Sequence, residues 1–333
     1  MSLFELNTFE FYYFLFFIFV IGACFGSFTN VVILRAFTEE SIVLPPSKCP
    51  HCKNKLKWYH NIPILSYLFL RGKCGFCKEK ISIQYPIVEF VVAVLFVALF
   101  LKYGIALKTI FMCMFAVMCV VLAVTDIKEQ VRFDAHAYVL GGLGLVYNFF
   151  DIGKRGLGTY DLSLFSYDFS INKSFVYALL GILAGVVIIE GLVLICKLFV
   201  GQRAFGEGDS FILGALGAVF GYAAVPLIAL VGALIQVVIL LPLMIKKFIQ
   251  AKKYDIIVSL TVLVLAMILF YVLLYLGLLD NTVLLYTYFA FIVGCTVYFS
   301  IKMIRSAKEN PENLTAVPFG PPLVLVALGL MFI

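Results

Sequence analysis

Charged residues are scarce in this sequence. Only 13% of its 333 residues are Asp, Glu, Lys or Arg, and 63% are hydrophobic. A soluble domain carries about 25% charged residues, so a soluble globular fold is excluded. The apolar residues also come in runs of roughly 18 or more, which is long enough to cross a bilayer as a helix. Because the backbone must satisfy its own hydrogen bonds in lipid, the sequence predicts an all-α polytopic membrane protein.

Signals of several other protein classes are also missing. The first apolar run begins near Phe9 behind Glu5, without a basic segment before it or a small-residue cleavage site after it, so we expect a retained span rather than a signal peptide. No GxGxxG loop of a soluble-type methyltransferase occurs. The formal net charge of +6 comes from basic residues in loops, which is typical of cytoplasmic loops and indicates no nucleic-acid partner.

The apolar runs predict about ten spans with one consistent orientation. Segment 35–85, here called the cysteine module, holds nine Lys and Arg residues against three acids and should face the cytoplasm. Alternate crossings then place both chain termini outside. The predicted spans are 9–34, 86–101, 107–125, 134–150, 174–198, 209–222, 224–245, 256–279, 282–301 and 318–333.

Two cysteine pairs lie in the cysteine module. Cys49-x-x-Cys52 and Cys74-x-x-Cys77 are separated by 21 residues, a spacing typical of a structural zinc site with four thiolate ligands. A reducing cytoplasm argues against two disulfides. An Fe–S cluster, a metal-free loop and a redox function are the alternatives. The module is too small to hold a hydrophobic core unless a metal ion cross-links it, so we predict bound Zn²⁺.

Two acids at helix ends are the candidate catalytic groups. Asp126 closes the third span and Asp209 opens the sixth, so the topology puts both carboxylates at cytoplasmic helix ends, where they can meet. Two adjacent carboxylates share one proton, so one activates water while the other polarises a peptide carbonyl. Gly206 and Gly208 leave room for a substrate backbone. The alternative interpretation of Asp209 is a helix N-cap in a glycine turn. The pairing with Asp126 favours an intramembrane aspartyl peptidase.

Longer motifs then resemble a known family. One motif is Asp126 and Asp134 with seven residues between them, followed later by Gly206-x-Gly208-Asp209. The others are Gly26-Ser27-Phe28-x-Asn30, Cys49-Pro50-His51-Cys52, Trp58-Tyr59-x-Asn61, Arg71-Gly72-Lys73-Cys74, Tyr85-Pro86-x-Val88-Glu89 and Pro318-Phe319-Gly320-Pro321. In this order they resemble the prepilin peptidases, or type IV leader peptidases, which are GxGD-type intramembrane aspartyl proteases. The resemblance covers most of the chain.

The resemblance implies roles for particular residues. Asp126 and Asp209 match the catalytic pair, and Asp134 matches an acid without a catalytic role. Gly72 and Lys73 match a position associated with methyl transfer from S-adenosylmethionine, for which a simple turn before Cys74 is the alternative. The metal would then support the fold rather than the chemistry. The residues that match the substrate and active-site loops are Gly206, Gly208, Pro318, Gly320 and Pro321.

The resemblance also implies substrates and a location. Such enzymes cleave a short basic leader from prepilins or pseudopilins, for type IV pili or type II secretion. Many of them also N-methylate the new amino terminus. We therefore expect a multi-pass protein of the bacterial inner membrane whose active site faces the cytoplasm. The sequence leaves open which pathway the substrate serves.

Two departures from the family pattern define the remaining expectations. Phe133 stands where the family usually has proline, and ten spans replace the usual eight. The extra pair, within 256–301, keeps the sidedness of the Pro318 motif because two crossings cancel. We expect a first helix at 1–34, the cysteine module at 35–85 and a membrane peptidase domain at 86–333. The competing hypotheses are a non-enzymatic ion or proton channel or secretion-assembly component, and a GxGD protease with another membrane substrate.

Overall fold

A computed structural model describes most of the chain as helix. The described residues are 8–37, 41, 47–49, 51–128, 134–153, 157–164, 167–200, 206–250, 254–275 and 319–333, with single residues at 287, 291, 294 and 298. The helices are α1 (Thr8–Ala36), α2 (Leu65–Phe69), α3 (Gln84–Tyr103), α4 (Leu107–Lys128), α5 (Asp134–Phe149), α6 (Lys173–Val200), α7 (Glu207–Phe220), α8 (Val225–Gln250), α9 (Tyr254–Tyr275) and α10 (Gly320–Leu330).

Four of the described helices are long and apolar enough to cross a membrane. They are Thr8–Ala36, Gln84–Tyr103, Leu107–Lys128 and Lys173–Leu198. Shorter apolar helices lie at Gly208–Phe220, Val225–Ile239 and Gly320–Leu330. The predicted all-α membrane fold is thus confirmed, whereas the count of ten spans stays a prediction. Most of the predicted ninth span, 282–301, lies outside the described residues, as does Pro318 at the start of the tenth.

A β-hairpin interrupts the helices. Strands β1 (Thr159–Leu164) and β2 (Tyr167–Asn172) pair antiparallel, with Thr159 opposite Asn172 and Leu164 opposite Tyr167. The hydropathy pattern predicted spans at 134–150 and 174–198 and no strand between them. The alternation of Tyr160, Leu162 and Leu164 with polar residues is the period-two pattern of a strand, and it was the available signal.

The chain divides into two compact units. One comprises Met1–Gly191, Phe205–Ala233 and Pro318–Ile333, and it contains both candidate aspartates and the cysteine module. The other comprises Leu192–Ala204 and Leu234–Val317, with α9 and the later part of α8. All the contacts that build the candidate sites lie within the first unit, and the sequence-based division at 34 and 85 stays a prediction.

Helix α1 packs closely along α3 because glycines line the contact. A Cβ atom at Gly22 would lie 2.7 Å from the Cα of Ala93, and one at Gly26 would lie 2.6 Å from the Cα of Glu89. Glycines four residues apart share one helix face and let two backbones approach, which is the usual device for helix packing in lipid. The cysteine module joins the end of α1 to the start of α3.

Helix α7 is held between α5 and α6. On the α6 side, a Cβ atom at Gly185 would lie 2.6 Å from the backbone nitrogen of Gly214. On the α5 side, the buried side-chain amide of Asn148 donates to the carbonyl of Ala218 at 2.8 Å. These backbone-close contacts set the position of α7, and therefore of Asp209 in its first turn.

Candidate active site and metal centre

The four cysteines of the module converge as their spacing predicts. The Sγ atoms of Cys49, Cys52, Cys74 and Cys77 all lie within 4.8 Å of one another, and those of Cys49 and Cys77 are 3.9 Å apart. A tetrahedral zinc ion with Zn–S bonds near 2.3 Å sets its sulfur ligands about 3.8 Å apart. Four thiols at this spacing fit a structural zinc ion, and they form a metal-binding cluster.

The two knuckles have the same backbone geometry, offset by 25 residues. In the first, Cys49 N–H donates to the Asn54 carbonyl at 3.0 Å; in the second, Cys74 N–H donates to the Glu79 carbonyl at 2.8 Å. Lys53 and Lys78 take φ values of 58° and 61° at equivalent positions, a strained conformation for residues with a Cβ atom. This repetition indicates that the turns are shaped to aim their sulfurs at a common centre.

The second knuckle favours the thiolate form of Cys74, and thiolate is the form that binds metal. The backbone N–H of Phe76 points to Sγ of Cys74 at 3.5 Å. Hydrogen bonds from the backbone of Cys77 and Phe76 lower the pKa of the Cys74 thiol to about 6. Cys74 is therefore poised to lose its proton to a metal ion near neutral pH.

Asp209 lies in the first turn of α7 and is buried, with 6% of its surface exposed. Its Oδ2 accepts a hydrogen bond from the backbone N–H of Gly206 at 2.9 Å. Gly206 is the N-cap residue, so the alternative in which Asp209 is itself the N-cap is wrong. Asp209 instead makes one half of a capping box, and the glycine has no side chain to make the other half. A Cβ atom at Gly208 would meet nothing within 4 Å, so the start of α7 is open there.

Asp126 lies near the end of α4 and is bound by the start of α10. Its Oδ2 accepts a hydrogen bond from the backbone N–H of Gly320 at 2.9 Å. Gly320 is the first residue of α10 and is followed by Pro321 and Pro322, which have no N–H. The first turn of α10 therefore presents the Gly320 donor to the carboxylate, at the helix end where the partial charge is positive.

Gly320 also connects Asp126 with α7. A Cβ atom there would lie 2.5 Å from Oδ2 of Asp126 and 3.0 Å from Cδ1 of Ile212. Ile212 is three residues beyond Asp209, on the same face of α7. The structure thus brings the start of α10 between the end of α4 and the first turns of α7. Pro318 lies outside the described residues, and Asp134 opens α5.

Comparison with known proteins identifies the chain. Residues 20–103 match the Bacterial Peptidase A24 N-terminal domain. The prepilin leader peptidase/N-methyltransferase of Neisseria gonorrhoeae is 32% identical over 243 residues, which cover 66% of this chain and 78% of that protein. This chain belongs to the prepilin leader peptidase/N-methyltransferase family. The resemblance drawn from the motifs is therefore confirmed.

Two other family members show how the similarity is distributed. The prepilin leader peptidase/N-methyltransferase of Pectobacterium carotovorum subsp. carotovorum is 32% identical over 245 residues, covering 67% of this chain and 80% of its own. That of Myxococcus xanthus is 50% identical over 88 residues, or 26% of each chain. No solved structure matches this chain at a significant level.

In this prepilin-peptidase chain, Gly72 and Lys73 lie at the entrance to the second knuckle. Gly72 has a φ of 68°, and its N–H donates to the Tyr67 carbonyl at 2.9 Å. A Cβ atom at Gly72 would lie 2.9 Å from the Tyr67 hydroxyl. Lys73 forms a β-bridge with Lys80. A turn therefore accounts for glycine at position 72, and the assignment of both residues to methyl transfer stays a prediction.

A third acid of this family member, Glu190, contacts the residue that follows Asp209. The buried Ser210 hydroxyl donates to Oε1 of Glu190 on α6 at 2.6 Å. This pairing could not be predicted, since nothing in the primary sequence aligns α6 with α7. The available signal was that each is a polar residue within an apolar helix.

Proposed function

We propose that this protein cleaves the leader peptide of type IV prepilins or pseudopilins and N-methylates the amino terminus that cleavage exposes. The names of the relatives support both activities. One structural observation carries the peptidase assignment: Asp126 and Asp209 are each bound by a backbone N–H at a helix start, and Gly320 contacts both Asp126 and α7.

The proposed cleavage uses the two carboxylates in different protonation states. The ionised one removes a proton from water, whose oxygen attacks the scissile carbonyl carbon, while the protonated one donates a hydrogen bond to the carbonyl oxygen. The tetrahedral intermediate then collapses: the amide nitrogen takes the proton that the first carboxylate removed from water, and the C–N bond breaks. The N–H groups of Gly206 and Gly320 orient one oxygen of each carboxylate for these steps.

We place the active site at the cytoplasmic face of the bacterial inner membrane. The excess of Lys and Arg in the cysteine module supports this orientation. Helix α7 has 14 residues and a length of about 21 Å, less than the hydrocarbon thickness of about 30 Å. Asp209 at its start would therefore lie slightly within the bilayer. There it meets the border between a prepilin's polar leader and its apolar segment.

Methyl transfer is assigned to the cysteine module. S-adenosylmethionine supplies the methyl group when bound, and Gly72 and Lys73 are the residues that we place near it. Cys49, Cys52, Cys74 and Cys77 would hold Zn²⁺, which fixes the two knuckles relative to each other. The ion has a structural role in this proposal, because four thiolates leave no open coordination position.

Isosteric removal of each charge tests the peptidase assignment. Asp126→Asn and Asp209→Asn should each abolish processing of a co-expressed prepilin, measured as the loss of the shorter band on a gel. Asp255→Asn, on the exposed first turn of α9, is the matched control and should process normally. Full processing by either active-site variant would overturn the assignment. Unprocessed precursor in the wild type, together with an ion flux that requires these acids, would favour a channel instead.

A further inference from the structure

A cavity of about 480 Å³ lies between the later part of α1, the start of α3 and the cysteine module. Its volume is within the range of about 300–1,000 Å³ that is usual for small-molecule sites. Asn30 and Glu89 line it from the two helices, and Lys48 and Lys80 line it from the module. None of these side chains takes part in the proposed cleavage step.

Asn30, which lines this cavity, has an unpaired acceptor atom. Its side chain is 2% exposed, and its amide nitrogen donates to the carbonyls of Tyr85 at 3.0 Å and Gly26 at 3.3 Å. Those two bonds fix which way the amide points. Its Oδ1 is buried and accepts no hydrogen bond from the part of the chain that the structure describes. Buried acceptors are rarely left unpaired in native proteins, so Oδ1 points to a donor supplied by a ligand.

Glu89 adds a buried carboxyl group to the same wall. It is 7% exposed, its Oε2 accepts the backbone N–H of Ile64 at 2.7 Å, and the Ser27 hydroxyl also hydrogen-bonds to it. Within the described residues it forms no ion pair with Lys, Arg or His. A buried carboxylate with only neutral donors is suited to a cation with N–H groups.

The remainder of the cavity lining restricts the ligand further. Apart from Glu89, the charged residues of the lining are Arg35, Lys48, Lys53 and Lys80 against the single acid Glu79, and this basic excess disfavours a simple cation. A dipolar ligand suits both the acidic wall and the basic residues of the cavity. Its ammonium group would lie at Asn30 and Glu89, and its carbonyl or carboxylate would lie toward the basic residues. A bound water would satisfy Asn30 but would supply no cationic partner for the Glu89 carboxyl group.

We propose that Asn30 and Glu89 form a binding site for an α-ammonium group. The inference rests on the proposed function, which offers two sources of such a group. One is the amino-acid end of the methyl donor, and the other is the α-amino terminus that cleavage exposes on the substrate. Both carry an ammonium group next to a carboxylate or carbonyl.

The test uses the full chain, purified in detergent, with S-adenosylhomocysteine and a peptide of the mature pilin amino terminus as probes. Glu89→Gln keeps the size and an oxygen for the Ile64 N–H but removes the charge. The loss of a charge-assisted hydrogen bond predicts about a tenfold or greater weakening of one probe. Glu79→Gln is the matched control, since this carboxylate lines the same cavity but is exposed, and it should change neither probe more than about twofold.

The pattern of results distinguishes the sources. A raised Kd for S-adenosylhomocysteine assigns the donor's amino end, whereas an unchanged Kd with a raised KM for the peptide in methylation assigns the substrate amine. Asn30→Leu should affect the same probe. If Glu89→Gln binds both probes like the wild type, the inference is overturned. Precursor cleavage by each variant, expected to be retained, reports folding. A wild type that neither cleaves nor methylates would instead overturn the proposed function.

Discussion

The cysteine module and the aspartate site differ in how far along the chain their contacts extend. The turns at Cys49 and Cys74 close through hydrogen bonds to residues five positions away, and the same bonds occur in both knuckles. The carboxylate of Asp126 is bound by Gly320, 194 residues later. A local turn can form wherever its residues occur, whereas the aspartate site exists only when α4, α7 and α10 pack together. Changes in the two regions should therefore have different consequences.

The largest effect is expected for a substitution at Gly320, which is far from Asp126 in the sequence but lies against its carboxylate. Gly320→Ala adds a methyl group at 2.5 Å from the Asp126 carboxylate and 3.0 Å from Ile212, so that carboxylate must move. A displacement of about 1 Å in an active site costs on the order of 100-fold in rate, and we expect prepilin cleavage to fall by about this factor. Gly329→Ala, on the same helix with nothing within 4 Å, is the control and should cleave normally. Equal rates for the two variants would mean that Gly320 does not position Asp126.

Metal removal should have a smaller and more local effect. Cys74→Ser, or a strong chelator, should reduce the zinc content from one ion per chain and lower the melting temperature of the module. Cleavage should fall by less than about tenfold, because the ion is structural. The measurements are metal analysis, thermal unfolding and prepilin processing. Cys24→Ser, at an exposed thiol of α1, should retain the metal. Complete loss of cleavage together with the metal would show that the two regions depend on each other.

Overpacking of the contact between α6 and α7 tests whether helix packing positions Asp209. Gly185→Ala would place a methyl group 2.6 Å from the backbone nitrogen of Gly214. Such overpacking costs about 1–3 kcal/mol, so the melting temperature and the cleavage rate should both fall. Gly191→Ala, also on α6, meets nothing within 4 Å and should leave both unchanged. A stable but inactive Gly185→Ala protein would locate the effect at Asp209 rather than in the global fold.

The smallest expected effect concerns the hydrogen bond from Ser210 to Glu190. Ser210→Ala removes this 2.6 Å contact next to Asp209, and we expect cleavage to fall roughly threefold to tenfold, as for the loss of a hydrogen bond worth about 1 kcal/mol. Ser259→Ala is the matched control, because its hydroxyl donates to the Asp255 carbonyl of its own helix. A wild-type rate for Ser210→Ala would limit Glu190 to a structural role.

Several elements were predictable because their causes are local. Helix α4 begins at Leu107, as the hydropathy pattern predicted, and the spacing of the four cysteines predicted their convergence. The hairpin at 159–172 was missed, although its first strand alternates apolar and polar residues over six positions. Asp209 was correctly expected at the start of a helix, but its role in binding the Gly206 N–H needed the backbone geometry of the turn.

What the sequence by itself determined is the membrane fold class, the position of most helices and the metal-binding module. These follow from hydropathy and from the spacing of residues close together in the chain. Only the tertiary structure decided that Gly320 binds Asp126, that Ser210 pairs with Glu190, and that Asn30 and Glu89 face one cavity. The physical reason is that apolar helices are nearly uniform in hydrophobicity around their surfaces. Their partners are therefore chosen by shape, through glycines that let backbones approach, and not by any periodicity visible in one helix.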